Sequence, residues 1–295
     1  MLLAVPNFSE GRDPARIERV SAAFATGAAL LDIHSDQIHN RTVLTLSGPT
    51  GSLSSALIRG ARACAEEIDI RHHEGAHPCI GALDVCPVVW LRPQDREAAR
   101  DEALAAARLI GDEVGIPVFL YGELASHQAR RERAFFRAGG PAELRRRLAV
   151  GELRPDFGPA EAHPSAGATL VTARAPLAAF NVELEGATID TTRAIAARVR
   201  ESGGGPPGVR AIGIALARGR TQVSTNVHDP DAIPLAEVVG RVSRLAAEHE
   251  ARVVAAELIG LAPEAALAGW TGEVPLRGFE PSRHLIERRL RVETG

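Results

Sequence analysis

Apolar and polar residues alternate over residues 177–184 (LAAFNVEL), and the spacing then lengthens to a helical one over 187–202 before GGGPPG interrupts it. Alternation returns over 209–217 and 221–227, two runs separated by Arg218-Gly219-Arg220. Residues 233–250 read as an amphipathic helix and 252–258 as a last strand. A period of two marks a strand buried on one face, and a period near 3.6 marks a helix with one apolar stripe. The order is therefore βαββαβ, that of a ferredoxin-like split unit.

The first part of the chain repeats that order. Residues 2–5 predict a strand, 14–26 a helix capped by Asp13, 29–33 and 42–47 two strands, 51–68 a helix and 83–89 a strand. A further helix (97–114) and strand (117–121) extend this lobe. The stretch 141–175, rich in Pro, Gly and Arg, is expected to be an ordered connection, because its RPDFGP turn is not part of a Gly/Ser run. The fold class that follows is α+β: two ferredoxin-like subdomains, residues 1–172 and 173–295, each a mixed sheet with helices on one face.

Composition narrows the chemistry. A chain of 295 residues with 45% apolar and 24% charged residues is ordinary for a globular protein large enough for two cores. Its net charge of -3 gives no basic excess for nucleic acid, and no apolar run approaches a membrane span. The opening MLLAVPNFSEGR is too short for a secretory signal, and the odd set Cys64, Cys79 and Cys86 has no CxxC pair. A cytoplasmic protein is expected. All 34 Lys+Arg residues are arginine, which removes Schiff-base and P-loop lysines from consideration. Only four asparagines occur, Asn7, Asn40, Asn181 and Asn226, and each lies in or beside an expected strand.

Polar residues interrupt the core pattern most densely over 70–89, IRHHEGAHPCIGALDVCPVV. His73-Glu74-Gly75-Ala76-His77 satisfies H-E-x-x-H, but that zinc motif needs both imidazoles on one helix face. Gly75 and Pro78 oppose a helix here, since proline disfavours the helical region for the residue before it. The favoured reading puts His77 on a loop before a buried strand, where imidazole transfers protons near neutral pH. No bound metal is expected. Two more clusters, VPNFSEGR (5–12) and HSDQIHNRT (34–42), follow strands of the same lobe.

These segments, with VFLYGE (118–123), RPDFGP (154–159), AFNVEL (179–184), QVSTN (222–226) and ELIGLAP (257–263), stand in the order seen in the formiminotransferase (glutamate formimidoyltransferase) family. The chain resembles that family over nearly its whole length and is similar to its stand-alone bacterial type, no cyclodeaminase domain being expected. The resemblance implies two subdomains whose sheets face each other, helices outside, with folate bound between them. It implies transfer of the formimino group of N-formimino-L-glutamate to N5 of tetrahydrofolate, a co-substrate, in histidine breakdown. His77 matches the family's catalytic histidine and would act as general acid and base. Arg41 and Arg12 would pair with substrate carboxylates. Asn7, His39, Asn40, His73, Asn181 and Asn226 would bind substrate or folate. Small-molecule partners and a homodimer are implied, with no nucleic acid and no membrane. The chain departs from the family pattern at His34, where an aspartate is usual, at Ala76, and at Cys79, where an arginine is usual. Transfer of a formyl group, a zinc hydrolase and a folate binder without catalysis are the alternatives.

Overall fold

The computed structural model describes residues 1–294. The chain divides into two units, Met1–Ala175 and one that begins at Pro176.

In the first unit the elements run β1 (Leu2–Ala4), β2 (Asn7–Phe8), α1 (Pro14–Ala25), β3 (Ala29–Asp36), β4 (Arg41–Gly48), α2 (Leu53–Glu67), β5 (Leu83–Trp90), α3 (Arg96–Leu109), β6 (Val118–Leu120), α4 (Arg133–Arg137), α5 (Gly140–Ala149) and β7 (Thr169–Arg174). Asp13 caps α1 as expected, its carboxylate accepting from the Ala15 and Arg16 amides. Across the sheet the order is β3, β4, then β1 and β2 end to end, then β5, β7 and β6. β1 runs antiparallel to β4 and β5, whereas β5, β7 and β6 are parallel.

One face of this sheet carries α1, α2 and α3, with Phe24, Leu44, Leu46, Leu57, Cys86 and Val88 fully buried between the layers. Burial of such side chains contributes about 1.5–3 kcal/mol each. The opposite face is not bare, as the sequence pattern had implied. α4 and α5 pack over its β5–β7–β6 part, burying Phe136, Leu144 and Leu148 against Val85, Phe119 and Leu170. Nor is 141–175 only a connection: it holds most of α5 and the whole of β7, a strand inside the sheet. The RPDFGP turn is tied to β6, since Asp156 accepts from the Leu120 amide at 2.8 Å and pairs with Arg130 at 3.1 Å.

The second unit contains β8 (Ala178–Glu185), α6 (Ile189–Val199), β9 (Val209–Ala215), β10 (Thr221–Val227), α7 (Leu235–Ala247), β11 (Arg252–Ile259), β12 (Leu276–Arg277), α8 (Pro281–His284) and α9 (Ile286–Thr294). Its sheet order is β12–β11–β8–β10–β9, which contains the ferredoxin-like arrangement of the four strands β8 to β11. Phe180, Val182, Leu184, Val223 and Val227 face α6 and α7. The fold is α+β in two subdomains. Among the described residues no helix is long and apolar enough to cross a membrane.

Candidate active site

The site is assembled where polar residues take the sheet face opposite α1 and α2. Between β1 and β2 the Val5-Pro6 step shifts the strand, and Phe8 enters the helix-side core, fully buried. Its neighbour Asn7 therefore points the other way. Asn7 is also buried; its Nδ2 donates to the Val5 carbonyl at 2.8 Å and its Oδ1 accepts from Arg41 Nη2. Arg41 opens β4, and the alternation that puts Leu44 and Leu46 in the core puts Arg41 on the Asn7 face. Arg41 Nη1 donates to His77 Nε2 at 3.0 Å.

His77 stands on the loop before β5. Only Ile70–His72 forms a short helical turn, and the chain from His73 to His77 is not helical. His73 and His77 are thus not presented together on one helix face. The His77 ring has one consistent proton arrangement. Pro78 offers only a carbonyl, so Nδ1, 2.9 Å away, carries the proton and donates it. A guanidinium can only donate, so Nε2 keeps the lone pair.

Asn40 fixes this loop. It adopts φ 48°, a left-handed turn that asparagine tolerates better than most residues. Its Oδ1 accepts from the Gly11 amide at 2.9 Å, its Nδ2 donates to the Glu74 carbonyl at 3.1 Å, and His73 Nδ1 lies 3.4 Å from Nδ2. This amide joins three loops. Gly75 permits the same close approach, because an added Cβ would run into the His39 carbonyl.

Cations dominate the surroundings. Arg133 and Arg137, one turn apart on α4, act with Arg41 on His77. Burial first, then these three guanidinium groups and His39, hold the His77 pKa well below its ordinary value. His77 is half-buried and neutral at pH 7, the protonation state of a base. Arg41 is itself pushed down to about 9 by burial and by Arg137, so it remains charged. Arg174, at the end of β7, is lowered to about 10 by burial, with Tyr121 and Arg133 beside it. Asp84 is a carboxylate among these cations: it is buried, pairs with Arg137, and accepts from the Ile80 amide at 2.8 Å. The Nε atoms of Arg41 and Arg137 are buried without a hydrogen-bond partner.

The cysteines are poorly suited to nucleophilic work. Burial and Asp84 raise Cys79 to about 11, and burial raises Cys86 to about 12, so both thiols are protonated at neutral pH. His39, buried, packs its ring edge-on to His77 with centroids 6.1 Å apart, and its Nδ1 lies 2.7 Å from Asp36 Oδ2. Burial would raise Asp36, but the His39 ring and the His39 and Ile38 amides bring it below its ordinary value. By register His34 stands beside Val43 and Asp36 beside Arg41, on the same sheet face. Arg12 is exposed and donates Nε to the Gln37 carbonyl at 3.0 Å, which anchors it to the turn before β4.

The structure thus brings His77, Arg41, Asn7, His39, Asn40 and His73 together in the first unit. Asn181 and Asn226 belong to the second. There Asn181 sits beside Ser224, and Asn226 beside Ala179, on the face opposite Phe180 and Val182. Asn181 is buried, as are Gln222 and Glu183; Glu183 pairs with Arg220 and Arg277, each at 2.7 Å. Sequence reasoning missed Arg133, Arg137, Arg174, Tyr121 and Asp84. Asp84 and Tyr121 lie inside the motifs GALDVCP and VFLYGE, a signal that was available. The three arginines carry no local signal.

Comparison with known proteins bears on what such a site does. The N-terminal subdomain of the formiminotransferase domain matches residues 1–174, and the formiminotransferase domain matches residues 179–271. The first match alone takes in more than half of the chain. The chain belongs to the formiminotransferase family. A glutamate formimidoyltransferase of Streptococcus pyogenes serotype M1 is 38% identical over 97% of this chain and 97% of its own length. Another, of Thermoplasma acidophilum, is 33% identical over 97% of this chain and 96% of its own. The formimidoyltransferase-cyclodeaminase of Sus scrofa is 39% identical over 89% of this chain, a match that spans 50% of that protein. Like the relatives it matches end to end, this formiminotransferase family member is a transferase.

Proposed function

We propose that this protein is a glutamate formimidoyltransferase that moves the formimino group of N-formimino-L-glutamate to N5 of tetrahydrofolate, a step of histidine breakdown. The observation that carries the reading is His77: a neutral imidazole with its lone pair on Nε2, surrounded by Arg41, Arg133 and Arg137. The amino-acid substrate is a dicarboxylate and the folate carries carboxylates too, so an arginine-rich site suits both. Among the described residues Arg41 has only neutral hydrogen-bond partners and leaves its Nε without one, so its charge is the one here best left to receive such an anion.

When bound, the reduced folate supplies a nucleophilic secondary amine, N5. His77 Nε2 takes the proton that this amine releases and returns it to the glutamate nitrogen as that nitrogen leaves. One C–N bond forms and one breaks, and the proton passes between the two nitrogens, so none is gained or lost. The Pro78 carbonyl holds the tautomer that makes this possible. Arg41 binds a substrate carboxylate, with Asn7 holding its guanidinium in place. Asn40, His73 and His39 position the loop and the ring, and Arg12 supports the turn. Asn181 and Asn226 remain assigned to folate or substrate. The site needs no metal in this scheme. The free, protonated thiols are in keeping with a cytoplasmic location, and a homodimer is the assembly the family resemblance implies.

The test is turnover with tetrahydrofolate and either N-formimino-L-glutamate or N-formyl-L-glutamate as donor. Formation of 5-formiminotetrahydrofolate from the first donor is the expected outcome. Turnover of the formyl donor alone would overturn the named reaction.

A further inference from the structure

The groups around His77 contain a contradiction. A general base needs a free lone pair, yet the single lone pair of His77, on Nε2, is taken by an N–H of Arg41 at 3.0 Å. The other ring nitrogen cannot substitute, because its proton is held by the Pro78 carbonyl at 2.9 Å. As the site stands, His77 has the right tautomer and no vacancy.

Arg41, for its part, is poorly satisfied. Among the described residues its hydrogen-bond partners are neutral, the Asn7 amide oxygen and the His77 ring, and its Nε is buried with no partner. The carboxylate that offsets its charge, Asp84, is engaged with Arg137 and with the Ile80 amide. Hydrogen bonds between a guanidinium and a carboxylate are roughly twice as strong as neutral ones, and a fork geometry lets two form at once. A carboxylate arriving here would offer Arg41 what Asn7 and His77 do not.

We propose that Arg41 is a positioning residue that caps His77 Nε2 in the free enzyme and releases it when a carboxylate of the amino-acid substrate engages the guanidinium. The base is thus uncovered by the substrate it serves. The proposal rests on the formimino-transfer reading above and deepens it. Uncapping has an electrostatic consequence as well. The titratable and charged groups that face His77 are Arg41 from β4, Arg133 and Arg137 from α4 and His39 from the turn after β3, whose ring pairs with Asp36, while Asp84 at the start of β5 offsets Arg41 and Arg133. A carboxylate on Arg41 neutralises the nearest cation, so His77 becomes a stronger base at the moment it is needed.

The experiment follows the His77 ring by NMR in protein labelled at histidine, titrated with acid, first alone and then with saturating L-glutamate as the probe. Alone, His77 is expected to hold the Nδ1–H tautomer and to resist protonation well below pH 6.5. With L-glutamate its titration is expected to move up by about one pH unit or more, with a change at Nε2. The same measurement on Arg41→Gln should give a ring that titrates higher than in the parent without ligand, though still below its ordinary value because burial, Arg133 and Arg137 remain, and that no longer responds to it. In that variant KM for formiminoglutamate should rise more than kcat falls. L-glutamate that binds, by calorimetry, without moving His77 would overturn the proposal alone. Failure of L-glutamate to bind in a protein that turns over formiminoglutamate would overturn it alone, whereas absence of that turnover would overturn the functional reading. An Arg41→Gln protein that is folded and leaves the His77 titration where it was would exclude capping.

Discussion

His77 and Asp84 show how single side chains set the properties of this site. His77 is kept neutral in the folded protein, whereas an unfolded chain protonates its histidines near pH ~6.5. Below that pH the unfolded state binds more protons than the folded one, so stability falls as pH falls. His73, lowered by burial, contributes in the same direction. His77→Asn should therefore flatten the decline in melting temperature from about pH 6.5 to pH 5; an unchanged slope would contradict the neutral assignment. Asp84 is 2% exposed at its side chain and pairs with an Arg137 that is 11% exposed. Removing one partner of such a pair leaves a buried charge, so Asp84→Ala should cost about 3–5 kcal/mol in urea unfolding. A loss below about 1 kcal/mol would mean that Arg137 finds water instead. At this scale the sequence was only partly legible. His77, Arg41 and Asn7 stood out because each interrupts a core pattern. Arg133, Arg137 and Arg174 did not, because nothing in RAFFR or TLVTAR distinguishes an inward arginine from a solvated one; only the packing of Phe136 against Phe119, ring centroids 5.1 Å apart, turns α4 toward the site.

Among the elements, those with a clean period were read closely from the sequence. β10 begins and ends where its alternation does, and α7 and β11 differ from expectation by a few residues at their ends. The stretch 141–175 failed for a physical reason. β7 is buried on both faces and parallel to its neighbours, so TLVTAR shows no polar-out alternation. α5 is strongly basic, and its Arg147 is buried against the Phe135 ring at 4.6 Å, so polarity there does not mean exposure. Packing between α1 and α2 depends on one glycine. A Cβ added at Gly60 would overlap the buried Phe24 ring, so Gly60→Ala should lower stability by about 1–3 kcal/mol through overpacking despite the better helix propensity of alanine. Thermal unfolding checks this; a variant as stable as the parent would show that the two helices can part without loss.

The molecule as a whole is built as two units, each with its own core, and the βαββαβ order read in each half of the sequence accords with a two-subdomain α+β fold. Its two tryptophans report on one unit each. Trp90 ends β5 in the first, and Trp270 meets Phe180 edge-on in the second, with ring centroids 5.9 Å apart. Phe180→Ala removes a fully buried ring, a change of about 3–5 kcal/mol. Followed with one tryptophan at a time replaced by phenylalanine, it should lower the Trp270 transition more than the Trp90 transition. Equal shifts would mean that the units unfold as one. The central claim concerns chemistry at one imidazole, and single turnover tests it most directly: His77→Ala, saturated with formiminoglutamate and tetrahydrofolate, beside the unaltered protein. The expected result is a chemical step slower by at least ~10²-fold while substrate binding changes little. A step that runs at the original rate would contradict the assignment of His77 as the residue that moves the proton.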